Sequence, residues 1–139
     1  MWRRAFLLAM WCVRLTADAK QQVFDLFTKI AAELSADNPM VFLESVDHDM
    51  PRFQEFQKDL MALTDQADVA NSLDVLSDEG DDTHRAEEFD WFMQIVGKSE
   101  SRPVEQRRAV VKFRLERRGK KWKIVAIDPL HFFAPPKAG

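Results

Sequence analysis

Asp90 is the carboxylate whose neighbours best suit proton-transfer chemistry. It lies between Phe89 and Trp91, and an apolar setting of that kind raises the pKa of a carboxyl group towards the range of a general base. Side chains on a strand alternate between two faces, however, so Asp90 should point away from the face that carries Trp91. An ordinary surface or interface residue is therefore the alternative interpretation.

His131 is the second candidate for acid–base chemistry, because a histidine changes charge near neutral pH. Pro129 interrupts the chain two residues earlier, so the sequence does not decide between a catalytic group and a plain histidine at a pocket rim. The chain also contains no tyrosine, which removes a common hydrogen-bond donor to a developing oxyanion. Asp90 and His131 are therefore weak catalytic candidates.

Three consecutive residues, Asp47, His48 and Asp49, come closest to a metal-binding cluster. Neighbouring residues do not share one face of a helix, and Asp49 is explained equally well as the cap of a helix that follows it. The single cysteine, Cys12, excludes a thiolate cluster and a disulfide framework. The sequence thus predicts no metal site and no cofactor.

The charge of the chain argues against nucleic acid as a partner. Its formal net charge is −3, although residues 107–123 hold nine basic side chains and one acid, Glu116. Such a stretch could bind nucleic acid, but few aromatic residues share its basic face. A solvated or dimer-forming outer sheet face, with its charges opposite acids on a neighbouring strand, is the interpretation preferred here.

The first 19 residues have the composition of a secretory signal peptide. Arg3 and Arg4 precede an apolar run at residues 5–13, and Ala17 and Ala19 give a small-x-small cleavage pattern. Nine apolar residues are too few to span a bilayer, which takes about 20. The prediction is an exported protein, periplasmic or secreted, without a stable membrane span once the signal is removed; a first helix of a cytoplasmic domain is the alternative.

The first half of the remaining chain has helical periodicity. Apolar residues recur three and four apart between residues 21 and 34, and again on either side of residue 50. The expected helices cover residues 21–34 and 40–46, with a third starting at Asp49, Met50 and Pro51.

The second half has strand periodicity. A short strand at residues 73–76 and a polar turn at residues 78–82 precede three longer alternating runs joined by short connections. Helices first and strands second predict an α+β fold. Its N-terminal helices pack on the concave face of a curved, mainly antiparallel four-stranded sheet. The chain from Phe132 onward is expected to lie loosely outside the sheet.

Element order and the last strand, Trp122-Lys-Ile-Val-Ala-Ile-Asp, resemble the nuclear transport factor 2-like superfamily, also called cystatin-like or cone-shaped α+β. The segment that begins at Ser77 and the ending from Ile127 to Pro135 look like uncharacterised bacterial members. The resemblance covers residues 20–134 as one domain, with residues 1–19 as the signal peptide and residues 135–139 as a flexible tail.

The resemblance implies a hydrophobic pocket between sheet and helices, and often a homodimer through the outer sheet face. Its isomerase members use a carboxylate base with a tyrosine and a second acid, an arrangement that a chain without tyrosine cannot assemble. The expected function is therefore non-enzymatic binding of an apolar small ligand or a protein partner. The alternatives are an isomerase- or dehydratase-type enzyme using Asp90 or His131, and a structural dimerisation module. The expected pocket residues are Phe53, Phe56, Trp91, Met93, Phe113 and Trp122, which could equally be core.

Overall fold

Helices and strands divide the chain as its periodicity predicts. The computed structural model describes the backbone of residues 2–137 and the side chains of residues 19–137. The side chains of residues 1–18 are not among those described. The prediction of a signal peptide at residues 1–19 therefore lies almost wholly outside the described side chains. The elements are α1 (Trp2–Ser35), α2 (Met40–Ser45), α3 (Phe53–Gln66), β1 (Ala67–Gly80), β2 (His84–Gly97), β3 (Val104–Arg118), β4 (Lys121–Asp128) and a short 3-10 helix (Leu130–Phe133).

The three helices bury the apolar stripes that predict them. On α1 the buried side chains recur three and four residues apart, at Val23, Phe27, Ile30 and Leu34. Phe24, expected in the same stripe, lies beside it and is 51% exposed. In the described part of the chain, no helix combines the length and the apolar character needed to cross a membrane.

The predicted helix cap at Asp49 is wrong. Helix α3 begins at Phe53, after Arg52 in a left-handed conformation with φ 64°, and no side chain caps it. Asp47 instead accepts a hydrogen bond from the backbone N–H of Asp49 at 2.8 Å, which closes a local turn. Asn38 does serve the start of α2, since its Oδ1 accepts the N–H of Met40 at 3.1 Å.

The four strands form one sheet in the order β1-β2-β3-β4, and each neighbouring pair is antiparallel. The expectation of a short first strand at residues 73–76 is wrong, because β1 has 14 residues. Its sequence is rich in Asp, Asn and Ser, residues that are depleted in strands. Pairing with β2 along almost its whole length outweighs that weak local preference.

The core is an aromatic cluster between the inward face of the sheet and the helices. Trp91 and Phe133 have ring centroids 5.1 Å apart, and Phe42 lies 5.1 Å from Phe133 and from Phe56. These edge-to-face contacts add to the area that the rings bury. Because the rings fill the space between α2, α3 and the sheet, the region between these helices and the sheet is packed.

The expected loose tail is wrong at its first residues. Phe132 and Phe133 lie in the 3-10 helix and are 5% and 0% exposed. The guanidinium of Arg107 on β3 donates hydrogen bonds to the carbonyls of Phe132, Ala134 and Pro135 at 2.6–2.9 Å. The tail therefore packs against β3 and is held by an inward-facing arginine that was expected on the outer face. The backbone N–H of Lys137 also donates to Glu105 Oε1 at 3.0 Å.

Candidate functional site

A groove between α1 and β1 is the candidate site. Its cavity of about 320 Å³ is lined by Lys20, Gln21, Phe24, Val75, Asp78, Glu87 and Phe89. A second cavity of about 180 Å³ shares Phe24, Val75 and Phe89 with it and extends towards Asn71. Phe24 is 51% and Val75 48% exposed, so the apolar walls are open to solvent. We call the two cavities together the α1–β1 groove.

One end of the α1–β1 groove is polar because of the alternation along β2. Phe89, Trp91 and Met93 face the core, and the same face continues two and four residues earlier at Glu87 and Arg85. Glu87 is 4% and Arg85 7% exposed, so two ionisable side chains are buried where the apolar pattern stops.

Asp78 reaches the same place because β1 contains a bulge. Val75 pairs with Phe89, but the register then shifts between Val75 and Ser77, and Asp78 pairs with Glu87. The extra residue at the bulge turns Asp78, rather than Ser77, towards the inward face. Its carboxylate accepts a hydrogen bond from Arg85 Nη2 at 2.5 Å, and its Oδ2 lies 3.6 Å from Lys20 Nζ.

The Asp78 and Glu87 carboxyl groups hold one proton between them at neutral pH. Burial, then the hydrogen bond to Asp78 and the charge of that group, raise the pKa of Glu87 to about 8. Burial opposes ionisation of Asp78 as well, but hydrogen bonds from Glu87 and Arg85 outweigh it and lower the pKa of Asp78. Glu87 Oε2 is buried without a hydrogen-bond partner. The pair can therefore give or take a proton, or bind a polar group.

Comparison with solved structures decides the fold. A nuclear transport factor 2-like superfamily protein from Salmonella enterica serovar Typhimurium LT2 superposes with a TM-score of 0.64 at 12% identity, covering 88% of this chain and 95% of the other. This chain has the nuclear transport factor 2-like fold. A Novosphingobium aromaticivorans protein, provisionally described as an aromatic ring hydroxylase, gives a TM-score of 0.62 at 16% identity, covering 80% and 87% of the two chains.

No protein-family model matches the sequence, and no curated protein matches it. At these identities the two structural likenesses show the nuclear transport factor 2-like fold alone, and that fold serves binding proteins and enzymes alike. The function therefore depends on the side chains of the site.

Asp90 lies on the outer face of this nuclear transport factor 2-like sheet, as alternation predicts. Its carboxylate accepts two hydrogen bonds from Arg108, at 3.0 and 2.6 Å. Because of that partner the pKa of Asp90 is lowered, so the expected rise is wrong. His131 is exposed on the 3-10 helix, and neither residue lines the α1–β1 groove.

The segment from Asp47 to Asp49 does not gather ligands for a metal. The backbone N–H of Asp49, followed by Arg118, holds the pKa of Asp47 below its usual value, and Arg118 Nη2 lies 2.8 Å from Asp47 Oδ2. The His48 ring packs 4.5 Å from that of Phe53. Among the described side chains of residues 19–137, no three His, Cys, Asp or Glu groups lie together as a metal site would need.

The six side chains expected to line a pocket are all at most 8% exposed. All six belong to the buried core cluster. Trp122 also borders a groove of about 640 Å³ between α1, α2 and the β3–β4 turn. Their role in binding stays a prediction, and the more suitable apolar groove lies between α1 and β1.

Sequence reasoning did not single out Glu87, Arg85 or Asp78. Two of them could have been found, because continuing the alternation of Phe89 and Trp91 towards the N-terminus places Glu87 and Arg85 inward. The inward position of Asp78 could not have been found in this way, because it depends on a bulge that no residue type in β1 indicates.

Proposed function

We propose that this chain binds a small, largely apolar ligand in the α1–β1 groove without catalysing a reaction. The observation that supports this most directly is the continuous apolar wall of Phe24, Val75 and Phe89, open to solvent and ending at the buried Glu87. Small-molecule sites are typically concave, mainly apolar, and carry a few well-placed polar groups. The groove has that character.

The groove predicts a clear response to a charge placed in its wall. We expect the neutral fluorescent probe N-phenyl-1-naphthylamine to bind the wild type and to bind Phe24→Glu at least about tenfold more weakly, because the new carboxylate would be desolvated by the probe. Met61→Glu is the matched control, since Met61 is 45% exposed on α3 and away from the groove. Equal binding by both variants would remove the groove from consideration.

An isomerase- or dehydratase-type enzyme is the second candidate, favoured by one observation. Glu87, with its pKa of about 8, has the proton affinity of a general acid or base at neutral pH, and it lines the groove that Asp90 and His131 do not. Incubation with 2-decanone in deuterated buffer tests this idea, because a catalytic Glu87 would exchange the protons beside the carbonyl faster than Glu87→Gln does. Equal exchange by the two proteins would leave binding alone.

A homodimer through the outer sheet face is proposed as the quaternary structure. Glu88 and Asp90 lie outward on β2, whereas Arg108 and Lys112 lie outward on β3. In a two-fold dimer the acidic half of one sheet can therefore meet the basic half of the other. Sedimentation equilibrium should give a dimer for the wild type and for Met61→Glu. The same measurement should give a monomer for Val110→Glu, which alters an outer-face side chain that is 46% exposed.

Dimerisation without ligand binding would instead support the alternative of a structural dimerisation module.

Export to the periplasm or the medium is likewise proposed from the sequence of residues 1–19. N-terminal sequencing of the protein from its own host tests export directly: a mature chain starting near Lys20 is expected, and an intact N-terminus in the cytoplasmic fraction would contradict it.

A further inference from the structure

We propose that the polar end of the α1–β1 groove recognises an uncharged hydroxyl group, so that the ligand class is an apolar alcohol. This inference rests on the binding function proposed above and adds the chemistry of the ligand's polar end. It is carried by the position of Glu87, whose side chain lines the groove and has one carboxyl oxygen without a partner.

The unpartnered oxygen calls for a hydrogen-bond donor. Glu87 is 4% exposed, and its other interactions are made with Asp78 and Arg85. A buried polar atom without a partner loses the hydrogen bonds that water would give it, and most buried polar atoms in native proteins have a partner. Glu87 Oε2 lines the groove's polar end without accepting a hydrogen bond from the protein, so a ligand hydroxyl can donate to it.

The charges around the groove's polar end disfavour an ionised group. A ligand ammonium would approach Lys20, whose Nζ lies 3.6 Å from Asp78 Oδ2, and the guanidinium of Arg85. A ligand carboxylate would approach the ionised Asp78. A hydroxyl donates one hydrogen bond and changes no charge, so it avoids the desolvation cost that either ion would add.

Access to Glu87 depends on Lys20. The Lys20 side chain is 68% exposed and lines the same cavity, and surface ion pairs of this kind are weak. Lys20 can therefore swing away at small cost while a ligand enters along Phe24 and Val75. The competing explanation for the unpartnered oxygen is a single buried water, which would give no preference for an alcohol.

Two isomers with the formula C10H22O distinguish the contribution of the hydroxyl group to binding from that of the apolar body of the ligand. 1-Decanol and 1-methoxynonane differ in having or lacking a donor, and decylammonium and decanoate supply the two charges. In competition with N-phenyl-1-naphthylamine at pH 7, we expect 1-decanol to bind wild type about tenfold or more tightly than the ether and both ions. Glu87→Gln should keep the preference for the alcohol over the ether, because its amide oxygen still accepts.

Glu87→Met is the variant that should abolish the preference, since it fills similar space without an acceptor. Glu88→Gln, on the outer face, is the control that should not alter it. Equal binding of the alcohol and the ether by wild type, which a water-filled site predicts, would overturn the inference and leave apolar binding intact. Tighter binding of either ion than of the alcohol would also overturn the inference. If no decyl compound displaces the probe, the proposed function fails as well. The wild-type comparison decides even if Glu87→Met does not fold.

Discussion

Glu87→Gln should make the free energy of unfolding less sensitive to rising pH. In the folded chain Glu87 keeps its proton up to a pKa of about 8, whereas the reference pKa without the fold is 4.5. Between these values the folded state binds more protons than the unfolded state, so stability falls as pH rises. The slope approaches about 1.4 kcal/mol per pH unit, and over pH 5 to pH 7 the wild type should lose about 2–3 kcal/mol.

The amide that Glu87→Gln introduces would carry no titrating proton, so this loss should disappear. Urea unfolding between pH 5 and pH 8 gives the free energy of unfolding for both proteins, and the variant's advantage should grow with pH. Asp90→Asn is the control: Arg108 lowers the pKa of Asp90, so its stabilising effect is fully present above its unfolded pKa and stays constant over this range. A difference between wild type and Glu87→Gln that does not change with pH would refute the buried, protonated carboxyl.

Five further substitutions, two of which are matched controls, test the packing that supports the site. Arg107→Gln should cost about 2–3 kcal/mol, since it removes charge-assisted hydrogen bonds to the tail carbonyls, whereas Arg108→Gln on the exposed face should cost much less. Phe133→Ala should cost about 3–5 kcal/mol because the ring is fully buried. Gly80→Ala should be more damaging than Gly119→Ala: both glycines have positive φ, but a Cβ at Gly80 would overlap the His84 carbonyl oxygen and one at Gly119 meets nothing within 4 Å. Urea midpoints rank all five variants, and an inverted order within either matched pair would contradict the contact concerned.

The sequence predicts the parts of the fold whose periodicity is strong. The stripe of Val23, Phe27 and Ile30 and the alternation of Phe89, Trp91 and Met93 each identify one buried face, because a helix and a strand repeat at different intervals. The fold class follows from their order. These patterns depend on local geometry alone, so one sequence is enough to find them.

The features that the sequence does not predict depend on partners far along the chain. Strand β1 is long because β2 pairs with it, and the tail is ordered because Arg107 binds it across 25 residues or more. The candidate site is a mixed case. Alternation could have placed Glu87 on the inward face, but its raised pKa depends on burial and then on Asp78, whose facing is set by tertiary pairing.

The bulge at Leu76 decides which side chain of β1 meets Glu87. Val75 pairs with Phe89 and Asp78 with Glu87, with one extra residue in β1 between these pairs. Deleting Leu76 would leave both pairs in place, so the acid pair should survive the loss of the bulge. If Leu76 stayed and paired in a regular ladder instead, Ser77 would face Glu87 and Asp78 would face the solvent. Homologues of this fold in which β1 lacks the residue at Leu76 should therefore keep the same acid pair.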